Sequence, residues 1–293
     1  MSRVLALDLG GTSLRAATAP AAAPTALEPA GHWPAPQTPE ALAARIGALL
    51  EAAPDVAAIG LTAPGLVEGT VSRWMPNLPA LDGVDLAPLC RGLPLAAGND
   101  AQMALVAEAS AGAAKGLDDA LLVAIGTGIG SAVLAAGRIV RGARGGACSF
   151  GWANGDPADP GAERLGWLER NAAGPALDRA ARTVGLADGA ALIAAARSGS
   201  PQARAAIAPA AAALGAALAG AVGLLDPSAV LLAGGVSEAA DVLMPDLRAA
   251  LIRNLPAHLR AVRVEVGAFG PRAGLTGAAI AATLGSDWWR IRR

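Results

Sequence analysis

A short apolar strand, a glycine-rich turn containing a threonine and a second strand occur twice in this chain, and this repeat constrains the fold most strongly. The first copy spans residues 4–18 and turns at Gly10-Gly11-Thr12, whereas the second spans 121–135 and turns at Gly126-Thr127-Gly128. Glycines permit positive φ and leave backbone N–H groups uncovered, and the threonine adds a hydroxyl donor. One copy is equally consistent with an ordinary hairpin. Two copies predict a pair of anion-binding turns.

Strand and helix patterns alternate along the chain, which predicts an α/β fold of two related domains. Helical patterns cover residues 38–53, 101–114, 167–184, 188–197, 202–225 and 276–284, and Ser237 is predicted to cap another helix. We expect a smaller N-terminal α/β domain at 1–110, completed by the last helix at 275–293. The larger C-terminal α/β domain is expected at 111–274, with a ligand between the two.

Composition excludes several classes of protein. Hydrophobic residues make up 54% of the 293 residues, but the richest segment, 205–225, consists mostly of Ala, Gly and Leu around Pro209 and predicts a buried helix, not a membrane span. The net charge of −1 provides no basic patch for nucleic acid. Two cysteines, Cys90 and Cys148, suit a reducing cytoplasm and form no disulfide framework. We therefore expect a cytoplasmic protein without nucleic-acid or membrane partners.

Six short segments of the chain form one ordered set of motifs: Asp8-Leu-Gly-Gly-Thr12, Ala63-Pro-Gly65, Asn77-Leu-Pro79, Asn99-Asp100, Ile125-Gly-Thr-Gly-Ile-Gly130 and Leu231-Leu-Ala-Gly-Gly-Val-Ser237. In register, they resemble the motifs of the ROK family of sugar kinases and related repressors, and the resemblance covers nearly the whole chain. It implies a two-domain actin-like ATPase (ribonuclease H-like) fold with a cleft between the domains, and a homodimer.

On the nucleotide side, the resemblance implies binding of ATP and Mg²⁺. Asp8 would hold the magnesium ion through water, because Mg²⁺ keeps much of its hydration shell; the alternative is a turn residue at a strand end. Gly234 and Gly235 would let the backbone approach the nucleoside, or would simply form a strand-to-helix turn. The phosphates would be lined by Gly10, Gly11, Thr12, Gly126, Thr127 and Gly128.

On the acceptor side, the resemblance assigns the catalytic base to Asp100 and places Asn77 and Asn99 among the substrate-binding residues. Phosphoryl transfer needs positioned phosphates, a divalent ion and a base near the attacking hydroxyl. The alternative is that Asn99 and Asp100 cap the helix that follows them, a common use of both residue types. The two roles are compatible.

One acceptor loop departs from the family pattern. Family sugar kinases carry Gly-Glu-Ile-Gly-His where this chain has Cys148-Ser-Phe-Gly-Trp152, so Ser149 replaces a sugar-binding glutamate and Trp152 replaces a histidine. The family's zinc signature should follow, but 153–168 contains neither Cys nor His, which predicts no zinc site. Glu169 aligns with a second sugar-binding carboxylate; the alternative is a surface glutamate.

These residues predict an ATP-dependent kinase that phosphorylates a hydroxyl of a sugar or sugar-like cyclitol. Loss of one charged hydrogen bond would weaken a glucose-like ligand by about ten- to a hundredfold. Trp152 would offer a flat apolar face to ring C–H groups, unless it packs in the core, and Ser149 a neutral donor or acceptor. Such a face fits a carbocyclic sugar analogue, and because the ROK family includes kinases of C7-cyclitols, the resemblance implies an acceptor of this type in preference to glucose. The alternatives are a glucokinase- or hexokinase-type enzyme and a non-catalytic sugar-sensing protein.

Overall fold

The computed structural model describes residues 2–161 and 165–291, which form two compact units. Unit 1 comprises Met1–Asp118, Ala132–Ala147 and Pro271–Arg293. Unit 2 comprises Asp119–Ser131 and Cys148–Gly270. Residues 292 and 293, at the end of the predicted segment 275–293, lie outside the described residues.

Twelve strands and eight α-helices make up the described parts of the chain. The strands are β1 (Arg3–Leu9), β2 (Ser13–Pro20), β3 (Glu28–Pro34), β4 (Val56–Ala63), β5 (Leu66–Glu68), β6 (Val71–Trp74), β7 (Leu95–Asn99), β8 (Ala120–Ile125), β9 (Ile129–Ala135), β10 (Arg138–Ile139), β11 (Ala229–Ala233) and β12 (Arg263–Val266). The helices are α1 (Pro39–Ala52), α2 (Asp100–Ala111), α3 (Trp167–Ala172), α4 (Gly174–Thr183), α5 (Gly189–Arg197), α6 (Pro201–Leu225), α7 (Ala240–Arg253) and α8 (Ala273–Leu284).

Unit 1 contains a five-stranded sheet in the order β3-β2-β1-β4-β7. β1 pairs antiparallel with β2, while β4 runs parallel to both β1 and β7. Carboxyl ends of parallel strands meet at one edge of a sheet, where α/β proteins bind ligands. The pairing therefore places Asp8 beside Thr62 and Ala63 beside Asn99 at this edge.

Helix α8 packs closely on the same unit because two glycines remove side chains from its contacts. A Cβ atom added to Gly60 of β4 would lie 1.8 Å from the carbonyl oxygen of Ala278. A Cβ added to Gly277 would lie 1.7 Å from the carbonyl oxygen of Met103 in α2. The backbone of α8 thus touches both a strand and a helix of unit 1. This close packing fixes the sheet edge that carries Asp8 and the start of α2.

The second sheet has the order β10-β9-β8-β11-β12. Its β8, β11 and β12 are parallel, and every residue of β11 is buried. Of these strands, β8, β11 and β12 belong to unit 2, as do helices α3 to α7. The pairing aligns Ala124 of β8 with Ala233 of β11, so the second glycine turn and Gly234-Gly235 follow neighbouring strand ends.

Helix α6 is long and apolar enough to cross a membrane, judged by length and composition alone. One face of α6 is packed within unit 2: a Cβ added to Gly215 would lie 2.3 Å from the carbonyl oxygen of Leu247 in α7. Ile207, Leu218 and Val222 of α6 are buried as well. The same packing occurs in core helices of globular domains, which pass the same test of length and composition.

Most predicted elements exist, and three details were wrong or missing. The predicted helix at 167–184 is two helices, α3 and α4, because the chain is extended at Ala173 before Gly174-Pro175. Ser237 does not cap a helix: it lies inside the 3-10 helix Gly235–Ala239, and its hydroxyl donates to the carbonyl of Gly234 at 2.6 Å. The short hairpin of β5 and β6 was not predicted.

Candidate active site

The first glycine turn of unit 1 closes over a very short span. The Gly10 N–H donates to the carbonyl of Ser13 at 2.8 Å. Neither Gly10 nor Gly11 has a positive φ, so the conformational freedom expected there is not used. Gly11 is needed for a different reason, since an added Cβ would lie only 2.7 Å from Cβ of Asn77. The turn and the predicted acceptor residue Asn77 are therefore packed together, with Thr12 at the next position of the turn.

Asp8 forms an ion pair with a residue that the sequence analysis did not single out. Asp8 and Arg15 lie opposite each other across the hairpin of β1 and β2. Arg15 Nε donates to Asp8 Oδ2 at 2.9 Å, and Arg15 Nη2 contacts the same oxygen. Oδ1 of Asp8 thus remains available to water or a hydrated ion. The hairpin register could have predicted this ion pair: Leu9 pairs with Leu14 next to the turn, and the next pair along the two strands is Asp8 with Arg15.

Thr62 is a second site residue that sequence reasoning missed. It is fully buried, and it pairs in register with Asp8. Among the buried side-chain oxygen and nitrogen atoms of residues 2–161 and 165–291, the Thr62 hydroxyl oxygen is the one that lacks a hydrogen-bond partner. A buried polar group without a partner is costly, and in native proteins such a group commonly binds ordered water or an ion. Thr62 therefore offers a further polar atom at the edge that carries Asp8.

Asn99 and Asp100 start helix α2, and they do so in different ways. Asn99 is the N-cap: its side-chain oxygen accepts from the Gln102 N–H at 2.7 Å, while Gln102 Oε1 accepts from the Asn99 N–H at 3.2 Å. This capping box confirms the capping role for Asn99. Asp100 is the first helical residue, and its Oδ1 accepts from the Ala101 N–H at 2.7 Å. One Asp100 oxygen remains for a substrate hydroxyl.

Electrostatics distinguish Asp100 from an ordinary surface aspartate. Its side chain reaches solvent, yet desolvation by the protein around it raises the pKa of this carboxyl. The Ala101 N–H opposes this effect and lowers the pKa, whereas the negative charge of Asp8 raises it again. The resulting pKa lies above the usual range for aspartate. A carboxylate with a raised pKa is a better proton acceptor near neutral pH.

Unit 2 contains a cavity of about 580 Å³ beside the second glycine turn. The cavity has an apolar wall that includes Leu177 and Ile193, and a charged rim that includes Arg197 and Glu238. A cavity of this size with few polar groups is typical of small-molecule sites. The lining residues are Gly126, Thr127, Gly174, Pro175, Leu177, Asp178, Gly189, Ala190, Ile193, Arg197, Gly235, Val236, Glu238 and Ala239.

The predicted nucleotide-binding glycines of unit 2 divide into two groups. Added Cβ atoms at Gly126 and Gly235 would meet no protein atom within 4 Å, so these glycines leave open space in the cavity wall. Gly234 has a φ of +79°, and an added Cβ would lie 2.5 Å from the carbonyl oxygen of Ile125. Gly234 therefore serves the strand-to-helix turn, as the alternative interpretation held. Gly235 borders the cavity.

Glu169 is half-buried in unit 2, not a surface glutamate. Its Oε1 accepts from the backbone N–H of Ile129 at 2.9 Å. An added Cβ at Gly128 would lie 2.8 Å from the same oxygen. The carboxylate thus contacts the second glycine turn directly, and the alternative of an exposed glutamate is wrong.

The altered acceptor loop presents an exposed aromatic ring. Phe150–Trp152 forms a 3-10 helix, and the Trp152 N–H donates to the carbonyl of Ser149 at 3.1 Å. Trp152 is 45% exposed, which contradicts the alternative of core packing. The loop is held by Gly166, where an added Cβ would lie 2.2 Å from the carbonyl oxygen of Gly151. Trp152 is therefore presented to solvent from a fixed backbone.

The residues at the sheet edge of unit 1 fit a hydrated magnesium ion better than a protein-caged metal. Within the described residues, no group of three or more His, Cys, Asp or Glu side chains could hold a metal ion. Mg²⁺ in kinases is usually held by one or two carboxylates together with water and substrate phosphates. Oδ1 of Asp8 and the unpartnered hydroxyl of Thr62 suit that mode, since both can accept hydrogen bonds from bound water.

Comparison with known proteins decides the family. A sequence model of the ROK family matches residues 4–284. The chain belongs to the ROK family. Over 318 residues this ROK protein is 30% identical to a glucokinase of Streptomyces coelicolor, and the match covers 95% of the chain and 97% of that glucokinase. It is 32% identical over 158 residues to a β-glucoside kinase of Listeria monocytogenes; that match covers 51% of the chain and spans about half (52%) of the relative.

A solved structure of the same family confirms the fold class. The ROK family glucokinase from Streptomyces griseus, in complex with glucose and AMPPNP, has a TM-score of 0.81 and 28% sequence identity, covering 97% of this chain and 100% of that one. The predicted α/β class and actin-like ATPase fold are thus correct for this ROK protein. The roles of its individual site residues stay predictions.

Proposed function

We propose that this ROK protein is a kinase that transfers the γ-phosphoryl group of ATP to a hydroxyl of a sugar or sugar-like cyclitol. The observation that carries the proposal is Asp100: a solvent-reachable carboxylate at the start of α2, with a raised pKa, beside the Asn99 cap and within electrostatic reach of Asp8. The family relationship and the glucokinase relatives support the same reaction class.

In this proposal the base and two amide contacts to the acceptor come from unit 1. The free oxygen of Asp100 accepts the proton of the attacking hydroxyl. Asn99 uses its side-chain oxygen for the cap, so its amide N–H₂ is left to donate to a second substrate hydroxyl. Asn77 would provide another amide close to the first glycine turn.

The nucleotide would bind in the cavity of unit 2. Gly126, Thr127 and Gly235 line that cavity, and the second glycine turn offers N–H and hydroxyl donors for phosphate oxygens. Bound Mg²⁺ would neutralise negative charge on the phosphates, with Asp8 holding its water shell. Gly10, Gly11 and Thr12 would contribute donors of the same kind from the first turn.

The proposed reaction balances without any further reactant. The acceptor hydroxyl oxygen forms a bond to the γ-phosphorus as the bond between that phosphorus and the β–γ bridging oxygen breaks. ADP leaves with the bridging oxygen, and the hydroxyl proton passes to Asp100. Positioning and electrostatic stabilisation supply most of the catalysis in reactions of this type.

The altered loop supports a cyclitol-type acceptor within this class. Ser149 cannot replace the charge of a glutamate, and the exposed ring of Trp152 suits the C–H face of a carbocycle. A ring in which carbon replaces the ring oxygen offers such a face. A C7-cyclitol is therefore our preferred acceptor. The second candidate is a glucokinase-type activity that tolerates Ser149, which the full-length glucokinase relative favours.

An ADP-release assay over hexoses, amino sugars and cyclitols tests these options. Turnover highest with a C7-cyclitol would support our preferred acceptor, whereas efficient glucose phosphorylation would replace it with the glucokinase-type activity. If none of the acceptors supports ATP consumption, although calorimetry shows that a sugar binds, the protein is a non-catalytic sugar-sensing protein.

We further propose that the enzyme is cytoplasmic and acts as a homodimer, as its family resemblance implies. The two cysteines fit a reducing compartment, and Cys90 is buried with a pKa raised to about 11 by desolvation and by Asp85. Light scattering of the purified protein measures its oligomeric state, and a monomer at working concentration would contradict this part of the proposal.

A further inference from the structure

The Glu169 side chain contacts the second glycine turn and the start of β9. Its Oε1 accepts the Ile129 N–H at 2.9 Å and would lie 2.8 Å from a Cβ at Gly128. The carboxylate therefore lies against Gly128 of the turn and against Ile129, the first residue of β9. A side chain at residue 128 would displace the Glu169 oxygen.

The side chain of Glu169 also packs against the altered acceptor loop. An added Cβ at Gly151 would lie 2.6 Å from Cγ of Glu169 and 2.7 Å from the carbonyl oxygen of Ile129. Gly151 is buried in the 3-10 helix that ends at Trp152. One glutamate thus fills the space between the backbone of the turn and the backbone of the loop, and both backbones lack side chains where it passes.

The segment that carries Glu169 holds the turn at both ends. The Gly174 N–H, just after α3, donates to the carbonyl of Gly126 at 2.8 Å. Glu169 receives the Ile129 N–H at the other end. The first anchor is made by backbone atoms and survives any side-chain replacement. The second depends entirely on an acceptor oxygen at the end of a side chain of the correct length.

From these contacts we propose that Glu169 is a positioning residue for the donor phosphates: it holds the second glycine turn in the conformation that binds nucleotide. The inference rests on the proposed function, in which this turn binds ATP. It differs from the role implied by the family resemblance, in which the carboxylate binds the acceptor. A turn that loses this anchor must be ordered when nucleotide binds, and that ordering weakens affinity.

Two conservative substitutions separate the two roles. Glu169→Gln keeps the side-chain length and an oxygen that accepts from Ile129 N–H, but removes the charge. Glu169→Asp keeps the charge, but shortens the side chain by one methylene and withdraws the oxygen from Ile129. The probe is AMPPNP, a non-hydrolysable ATP analogue, and its affinity is measured by calorimetry with Mg²⁺ and without any acceptor.

We expect Glu169→Gln to bind AMPPNP with nearly wild-type affinity and Glu169→Asp to bind it about tenfold or more weakly. Equal affinity of all three proteins would overturn the inference while leaving the proposed function standing. A wild-type protein that binds no AMPPNP would overturn the proposed function, and the inference with it. Thermal unfolding of each variant verifies that the measured protein is folded.

Discussion

At the scale of single residues, the proposed base Asp100 owes its unusual electrostatics to its place at the start of α2. The helix N-terminus and the Ala101 N–H favour its charged form, whereas desolvation and Asp8 favour the protonated form, and the second pair prevails. The site therefore holds a carboxylate that is easier to protonate than an ordinary aspartate. The raised pKa affects two properties of the protein, its activity and its stability.

The first concerns activity and its pH dependence. Asp100→Asn should bind the acceptor normally but turn over at least about a hundredfold more slowly, because general-base catalysis contributes roughly 10²- to 10⁴-fold. In the wild type, only the ionised carboxylate accepts a proton, so kcat/KM should fall as pH drops through the raised pKa. That fall should begin above the 3.8 of an ordinary aspartate. Steady-state kinetics across pH measures both effects; near-normal turnover of the variant would remove Asp100 from the role of base.

The second prediction concerns stability: Asp100→Asn should lower activity but stabilise the fold at pH 7. A group whose pKa is higher in the folded than in the unfolded state stabilises the fold below the unfolded pKa and loses that contribution as pH rises through the folded pKa. The ionised Asp100 therefore destabilises the protein at pH 7. Asp100→Asn should raise Tm at pH 7, and the gain should shrink as pH approaches 3.8.

Asp85 provides the matched control for that measurement, since it is also an aspartate of unit 1 but has the opposite shift. The Thr70 hydroxyl and then the Ala87 N–H lower the pKa of Asp85. Its charged form is favoured in the folded state, so Asp85→Asn should lower Tm at pH 7 or leave it unchanged. Equal gains in Tm from both variants would show that removing negative charge, not the environment of Asp100, produced the effect.

At the scale of elements, what the sequence could predict depended on how local the signal was. Helix α1 was predicted because Thr38 caps it with its own side chain, accepting from Ala41 N–H at 3.2 Å. The break between α3 and α4 was missed because the apolar pattern continues through it, although Gly174-Pro175 marked the place. Thr62 was missed because its partner Asp8 lies on another strand and only the sheet register brings them together.

The roles of the glycines also depend on contacts with distant parts of the chain, which cannot be read from the local sequence. Gly10 and Gly11 permit positive φ, but neither adopts it, and Gly11 instead makes room for Asn77. Gly234 does use positive φ, whereas its neighbour Gly235 borders a cavity. Gly11, Gly234 and Gly235 are thus glycines for three different physical reasons. The motif predicted the turn, and only the fold distinguished backbone freedom from close approach and open space.

Two helical glycines provide a prediction about element packing. Gly277→Ala should cost about 1–3 kcal/mol of unfolding free energy, because the new methyl group would collide with the Met103 carbonyl and separate α8 from α2. Gly223→Ala in α6 meets no atom within 4 Å and should gain up to about 1 kcal/mol from helix propensity. Urea denaturation measures both; a tolerated Gly277→Ala would mean that α8 can shift without loss.

At the scale of the whole molecule, the two copies of the glycine turn lie in different surroundings. In unit 1 the turn packs on Asn77 and follows the strand that carries Asp8. In unit 2 the equivalent turn borders a cavity of about 580 Å³ and is anchored by Glu169. Each copy of the motif thus acquired its role from the elements packed around it. A test of this division must change one site without disturbing the fold of either unit.

Gly235→Val makes such a test, because its side chain would enter the cavity without meeting any protein atom within 4 Å of the new Cβ. The variant should unfold at the wild-type temperature without ligand. With AMPPNP at a hundred times its dissociation constant, the wild type should gain about 2.7 kcal/mol of stability, and Gly235→Val should gain much less. Gly220→Val, which also adds a side chain in open space but lies on α6 away from the cavity, should keep the full gain. If Gly235→Val keeps it too, nucleotide binds elsewhere, and the assignment of the cavity to ATP is wrong.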